Sequence, residues 1–178
     1  MPEKVTTIPK GDEIIQRVKA KALANDKFSG CSQSVLGALQ EEFDIGDMQS
    51  FKAATVHSGG FRRGETCGAL IGGLMGLGLA IGRERMEDTD TYQKAMDVSD
   101  EISRRFKEEL RKQFGSGQEL KSTLCTEIQE RVLGRSFEFP REYEAFLEAG
   151  GHSDTGCPKV CSIAAQVVAE KILEIKEP

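Results

Sequence analysis

Apolar residues recur at helical spacing along almost the whole chain. Ile14, Ile15, Val18 and Ala22 fall on one face of a segment predicted to be helical from about Asp12 to Ala24. Val35, Leu36, Ala38 and Leu39 place a second helix between Cys31 and Phe43, before the break at Gly46. Asp47 is suited to cap a third, which carries Met48, Phe51, Ala54 and Thr55 toward His57. Ser58-Gly59-Gly60-Phe61-Arg62-Arg63-Gly64 reads as a loop that delivers the chain to Cys67. A long amphipathic helix follows from about Asp88 to Phe114, stopped by Gly115-Ser116-Gly117. Its charges from Glu101 to Lys112 read as a solvated face. Ser122 or Thr123 opens the next helix and Gly134 closes it; Pro140 to Ala149 makes a short one, and Pro158 to Ile175 the last. Proline suits a first helical position, which makes Cys157 the expected N-cap. No strand pattern occurs. The fold expected is an all-α, single-domain bundle over residues 12–178, with about seven or eight helices around a central glycine-rich helix. Residues 1–11 are expected to be a flexible N-terminus.

The segment from Cys67 to Gly82 carries no charge over sixteen residues. A membrane span needs about 20 apolar residues, so a run this short belongs more naturally in a protein core. Six glycines interrupt it, each costing roughly 1 kcal/mol relative to alanine inside a helix, and packing has to offset that cost. Gly68, Gly72 and Gly76 recur at i, i+4, i+8 on one face, where a neighbouring helix can approach closely. A homodimer through this helix is a further expectation.

Composition narrows the function. The chain of 178 residues is long enough for a hydrophobic core without disulfide staples. Its net charge of −5 and the lack of a clustered basic stripe argue against a nucleic-acid partner. Met1 to Lys10 has no apolar stretch of the secretory kind, so a cytoplasmic location is expected. Cysteines in a reducing compartment are usually metal-binding or catalytic rather than paired in structural disulfides.

Four of the five cysteines sit where a helix should begin: Cys31, Cys67, Cys125 and Cys157. A helix start presents unpaired N–H groups and the positive end of the dipole, which favour an anionic side chain and raise the thiolate fraction of a cysteine. There is no C-x-x-C, so a thioredoxin-like dithiol is not supported, and no C-x-x-C-H, so covalent haem is not expected. The intervals are too wide for a zinc finger or a ferredoxin run. A site using them has to be assembled by the tertiary fold. Cys161 lies four residues after Cys157 on one helix face, where the two can share a metal or act as attacking and resolving thiols. His57 and His152 each precede a cysteine in a glycine-containing loop, as a metal ligand or a base would. Arg62 and Arg63 can stabilise a nearby thiolate or bind an anion.

These residues resemble the redox-active family named for its C-GCAxxG-C-C cysteine pattern. Gly30-Cys31-Ser32-Gln33-Ser34-Val35-Leu36 is similar to that family's Asn-Cys-Ala-Gln-Ala-Val-Leu segment, and Cys67-Gly68-Ala69-Leu70-Ile71-Gly72 has the CGAxxG form. Cys125 and Cys157-Pro158-Lys159-Val160 continue the order, and the resemblance covers roughly residues 12 to 175. It implies Cys31, Cys67, Cys125 and Cys157 as site residues, with Cys161 as an additional cysteine that competes for the last position. Two chemistries follow. The thiols can exchange with disulfides, with Cys67 the expected nucleophile beside Arg62, Arg63 and His57, and Cys31, Cys125 or Cys157 resolving. Alternatively they hold an iron–sulfur cluster or zinc, with Cys161, His57 and His152 as further ligands, and pass electrons to an unidentified redox partner. A non-catalytic helical interaction module or a structural zinc protein is the competing reading, and an enzyme acting on a small thiol or persulfide is a third.

Overall fold

The computed structural model describes residues 10–115 and 119–176. Among the described residues eight α-helices follow in order: α1 Lys10–Asp26, α2 Cys31–Phe43, α3 Met48–Ala53, α4 Gly68–Ile81, α5 Thr89–Gln113, α6 Cys125–Leu133, α7 Tyr143–Glu148 and α8 Cys157–Lys176. The expected all-α bundle is what forms, and among the described residues the sole extended pairing is an isolated antiparallel bridge between Thr66 and Leu124. Residues 1–9 of the expected flexible N-terminus, and Ser116 and Gly117 of the expected helix stop, lie outside the described residues. Lys10 and Gly11 already belong to α1.

Local signals set the helix ends. Asp47 caps α3 as expected, its carboxylate accepting from the Ser50 N–H at 2.9 Å while the Ser50 hydroxyl accepts from the Asp47 N–H at 3.0 Å. The Asp88 carboxylate accepts from the Thr91 N–H and starts α5. Gly134 closes α6 in the left-handed conformation. At the last helix the expectation is off by one. The Gly156 carbonyl accepts from the Val160 N–H, so Cys157 is the first helical residue and Pro158 the second.

Packing is organised by two helices. α8 touches α1, α2, α4 and α5 and is buried along most of its length, from Val160 through Ile163, Val167 and Val168 to Ile172. α4 lies against α2, α5 and α8. The central role expected of the glycine-rich helix is therefore shared with α8. α5 contributes Ile102, Phe106 and Leu110 to the core. Part of its charged face is tied down rather than merely solvated: Arg105 bonds Glu174 at 2.8 Å, and Lys171 bonds Glu101 at 2.9 Å.

The glycine face of α4 is filled by α2. A Cβ on Gly68 would lie 2.5 Å from Cys31 Sγ, one on Gly72 would run into the Ser32 carbonyl oxygen, and one on Gly76 would lie 2.6 Å from Leu39 Cδ1. This close approach is the packing that offsets the glycine cost, and the expected dimer seam on this face is occupied by the same chain. No described helix is long and apolar enough to cross a membrane.

Gly72→Ala and Gly78→Ala form a matched test of this reading. Gly72 has no room for a methyl group, and overpacking of this kind costs about 1–3 kcal/mol. Gly78 has nothing within 4 Å of a built Cβ, so alanine there should stabilise by about 0.5–1 kcal/mol. Urea midpoints of the two variants should move in opposite directions; equal shifts would contradict the assignment of the packed face.

Candidate functional site

Four helix starts converge on one cleft of about 910 Å³, and Cys31, Cys67, Cys125 and Cys157 all line it. Each position has a local cause. Gly30, in a left-handed conformation with φ 100°, turns the chain from α1 into Cys31, the first residue of α2. Cys67 is the N-cap of α4. Cys125 opens α6, and its N–H donates to the Glu65 carbonyl at 2.6 Å while the Cys67 N–H donates to the Thr123 carbonyl at 2.8 Å. This two-bond ladder pairs Thr66 with Leu124, so the residues just after each, Cys67 and Cys125, face the same side. Cys157 is delivered by a tight loop in which its N–H donates to the Gly151 carbonyl at 2.9 Å and Gly151 lies flat against the Phe146 ring.

All five cysteines are free thiols. Cys67 and Cys125 are buried, whereas Cys31 and Cys157 are partly exposed. Cys161 does not line the cleft. It is buried in the core one turn along α8, with its S–H directed to the Cys31 carbonyl at 3.8 Å.

Burial overrides the helix-start field that the sequence suggests would activate these thiols. It pushes Cys31 up to about 12, helped by the negative charges of Cys67 and Asp26 and opposed by the Gly59 N–H and the Ser58 hydroxyl. Cys67 also rises to about 12 through burial and the Cys125 charge, although the Leu70 and Ala69 N–H groups pull the other way. Burial raises Cys125 to about 12, with Cys31 adding to it. Burial, then Asp26 and the other three cleft cysteines, raise Cys157 as well. The four thiols are near enough for each to resist ionisation of its neighbours.

Beneath them lies a carboxylate that a sequence-only reading misses. Asp26 is 1% exposed, and its Oδ2 lies 3.3 Å from His152 Nδ1. Asp26 Oδ1 and His152 Nε2 are both buried without a hydrogen-bond partner. The signal is present in α1: Val18, Ala22 and Asp26 share one stripe at i, i+4, i+8, so the inner face ends on an acid. His152 lines the cleft; His57 does not. The His57 ring packs edge-on to Phe61 at 5.1 Å, and its backbone carbonyl closes over Gly68.

An aromatic wall faces the thiols and is equally unforeseen from the sequence. Phe139, Tyr143 and Phe146 line the cleft. Phe146 packs on Phe139 at 5.2 Å, on Phe137 at 5.7 Å and on His152 at 5.2 Å. Its signal was the clustering of four of the eleven Phe and Tyr residues between positions 137 and 146. Gln129 ties this wall to the thiols: its Nε2 donates to Cys125 Sγ at 3.6 Å, and its Oε1 accepts from the Phe137 N–H at 2.9 Å.

The rim is a strained turn. Gly59, Gly60, Phe61 and Arg62 are successively left-handed, with φ of 64°, 57°, 58° and 59°. For a residue with a Cβ this costs about 1–2 kcal/mol. Gly60 has no alternative, because a Cβ there would lie 2.5 Å from the Glu65 backbone nitrogen. The turn holds Phe61 and Arg62 in the cleft lining, while Arg63 stands outside it.

The donor types suit a thiophilic metal, but their placement does not gather around one point. Among the described residues no three Cys, His, Asp or Glu side chains are positioned to hold a metal ion. Zinc or a cluster on the expected ligands would require these side chains to move. A family model described as "Putative redox-active protein (C_GCAxxG_C_C)" matches residues 29–171. No curated protein and no solved structure matches the chain.

The raised thiols make a testable statement about reactivity. With Cys31, Cys67 and Cys125 near 12 in place of about 8.5, iodoacetamide at pH 8 should label these three thiols in the folded, reduced protein at least about 10²-fold more slowly than in the urea-unfolded chain. The folded rate should keep climbing above pH 9, where that of an ordinary thiol levels off. Plateau behaviour near pH 9 in folded protein would contradict it.

Proposed function

The chain belongs to the redox-active C_GCAxxG_C_C family, and from that premise we propose that it works by thiol–disulfide exchange within the four-cysteine cleft. The observation that carries this reading is the convergence of Cys31, Cys67, Cys125 and Cys157 on one cavity from four separate helix starts. The reading gives Cys31 the first contact with substrate, because it is partly exposed and because, against the burial that raises its pKa, the Gly59 N–H and the Ser58 hydroxyl favour its thiolate. Cys67 is then the resolving thiol. Cys31 Sγ rests against Gly68, next to Cys67 in the chain, and the Cys67 charge raises the cost of ionising Cys31.

The Cys67-first order expected from the sequence gives way here to Cys31 because Cys67 is 5% exposed. His152, held through Nδ1 by Asp26, is the one imidazole in the lining and the group best suited to take a thiol proton. An electron-transfer role for an iron–sulfur cluster is the second reading. It has the right donor atoms, but not, in this arrangement, a gathered set of them.

Trapping separates the roles. When reduced protein meets bis(hydroxyethyl) disulfide, the wild type should end with a Cys31–Cys67 disulfide. Cys67→Ser should instead accumulate a hydroxyethanethiol adduct on Cys31, read by peptide mass spectrometry. Cys31→Ser should lose the adduct. An adduct on Cys125 or Cys157 in the Cys67→Ser protein would overturn the assignment. Stoichiometric iron with acid-labile sulfide, or zinc, in protein purified without oxygen or chelator would move the case to the metal reading.

A further inference from the structure

We propose that the cleft selects small disulfides built on an apolar, planar body carrying an anionic group, in preference to the disulfide of a protein. The inference rests on the thiol–disulfide reading and adds the substrate class. Three features of the cleft point the same way. Its volume of about 910 Å³ falls within the roughly 300–1,000 Å³ range of small-molecule sites. One wall is a mutually packed aromatic surface of Phe139, Tyr143 and Phe146, with Tyr143 stacked on Phe146 at 6.2 Å and 25°. A rigid ring face of this kind favours flat, apolar ligand surface.

The third feature is Arg62. It is the one arginine or lysine in the lining, it is exposed, and among the described residues it makes no ion pair. Its left-handed backbone, φ 59°, fixes it at the rim beside Phe61. A guanidinium without a carboxylate partner at the mouth of an apolar cleft is arranged to receive a carboxylate or similar oxyanion. The attacking Cys31 lines this cleft and the resolving Cys67 is 5% exposed within it, so both exchange steps take place where a ligand small enough to enter the cleft is favoured.

The step balances without an outside reagent. Cys31, as thiolate, attacks one sulfur of R–S–S–R; the Cys31–S–S–R bond forms and RS⁻ leaves. Cys67 then attacks the Cys31 sulfur, forming the Cys31–Cys67 disulfide and expelling the second RS⁻. The protein loses two electrons, the substrate gains two, and the two thiol protons pass to the products or to water.

The test is a single turnover of prereduced protein against four disulfides: dithiobis(nitrobenzoate), dithiodipyridine, bis(hydroxyethyl) disulfide and insulin. Each rate is divided by that of dithiothreitol with the same compound, which removes intrinsic reactivity. The anionic aryl disulfide should lead, exceeding bis(hydroxyethyl) disulfide and insulin by about tenfold or more. Arg62→Gln should lower the normalised rate with dithiobis(nitrobenzoate) about tenfold and leave dithiodipyridine unchanged. Phe139→Leu should slow both aryl compounds, with thermal melts checking that each variant folds. Equal normalised rates for all four, or a lead for insulin, would overturn the substrate class while leaving thiol–disulfide exchange in place. No thiol release from any of them would overturn the reading on which the proposal rests.

Discussion

The cleft depends on the contact between α2 and α4. Three glycines one turn apart let the two backbones meet with almost nothing between them, so that Ser32 sits directly on Gly72 and Cys31 Sγ directly on Gly68. Any side chain at these positions would push α2 away and carry Cys31 with it. The CGAxxG run is thus a spacing device as much as a chemical one. Its cysteine caps the helix, its first glycine admits a second thiol, and its second glycine sets the distance between the helices. The cost of glycine in a helix, roughly 1 kcal/mol each, is offset by close packing along the same face.

Two effects compete at every thiol, and their sizes decide the outcome. A helix N-terminus favours an anion by about 0.3–2 kcal/mol. Lifting a thiol from 9.0 to about 12, as at Cys67, corresponds to about 4 kcal/mol against the thiolate. Burial therefore wins, and the cluster rests as neutral thiols. The buried Asp26 charge adds to this resistance at Cys31, Cys67, Cys157 and Cys161.

The remaining walls belong to segments with little helix of their own. The turn at Gly59–Arg62 holds two side-chain-bearing residues in an unfavourable backbone region, fixed at one end by the bonds to Cys31 and at the other by the Thr66–Leu124 bridge. The loop from Gly150 to Gly156 is similarly constrained, since a Cβ on Gly151 would enter the Phe146 ring and one on Gly156 would enter the Gly150 carbonyl. Thiols, rim and aromatic wall are thereby mechanically linked. Gln129 makes the linkage explicit by holding Cys125 with one end of its amide and Phe137 with the other.

The sequence by itself determined the helices, the Asp47 cap, the Gly134 stop and the placement of four cysteines at helix starts, because these rest on periodicity and on residues within four positions of one another. It also marked the glycine face of α4 as a site of close approach. What covers that face was decided only by the tertiary structure. So was the bridge that sets Cys67 beside Cys125, since a single pairing between residues 66 and 124 leaves no periodic trace. The tertiary structure likewise separated His152 from His57 and Cys157 from Cys161, pairs that look equivalent along the chain. Desolvation reversed the expected effect on thiol acidity for the same reason: burial is a property of the assembled cleft, whereas the helix-end field can be read from one segment alone.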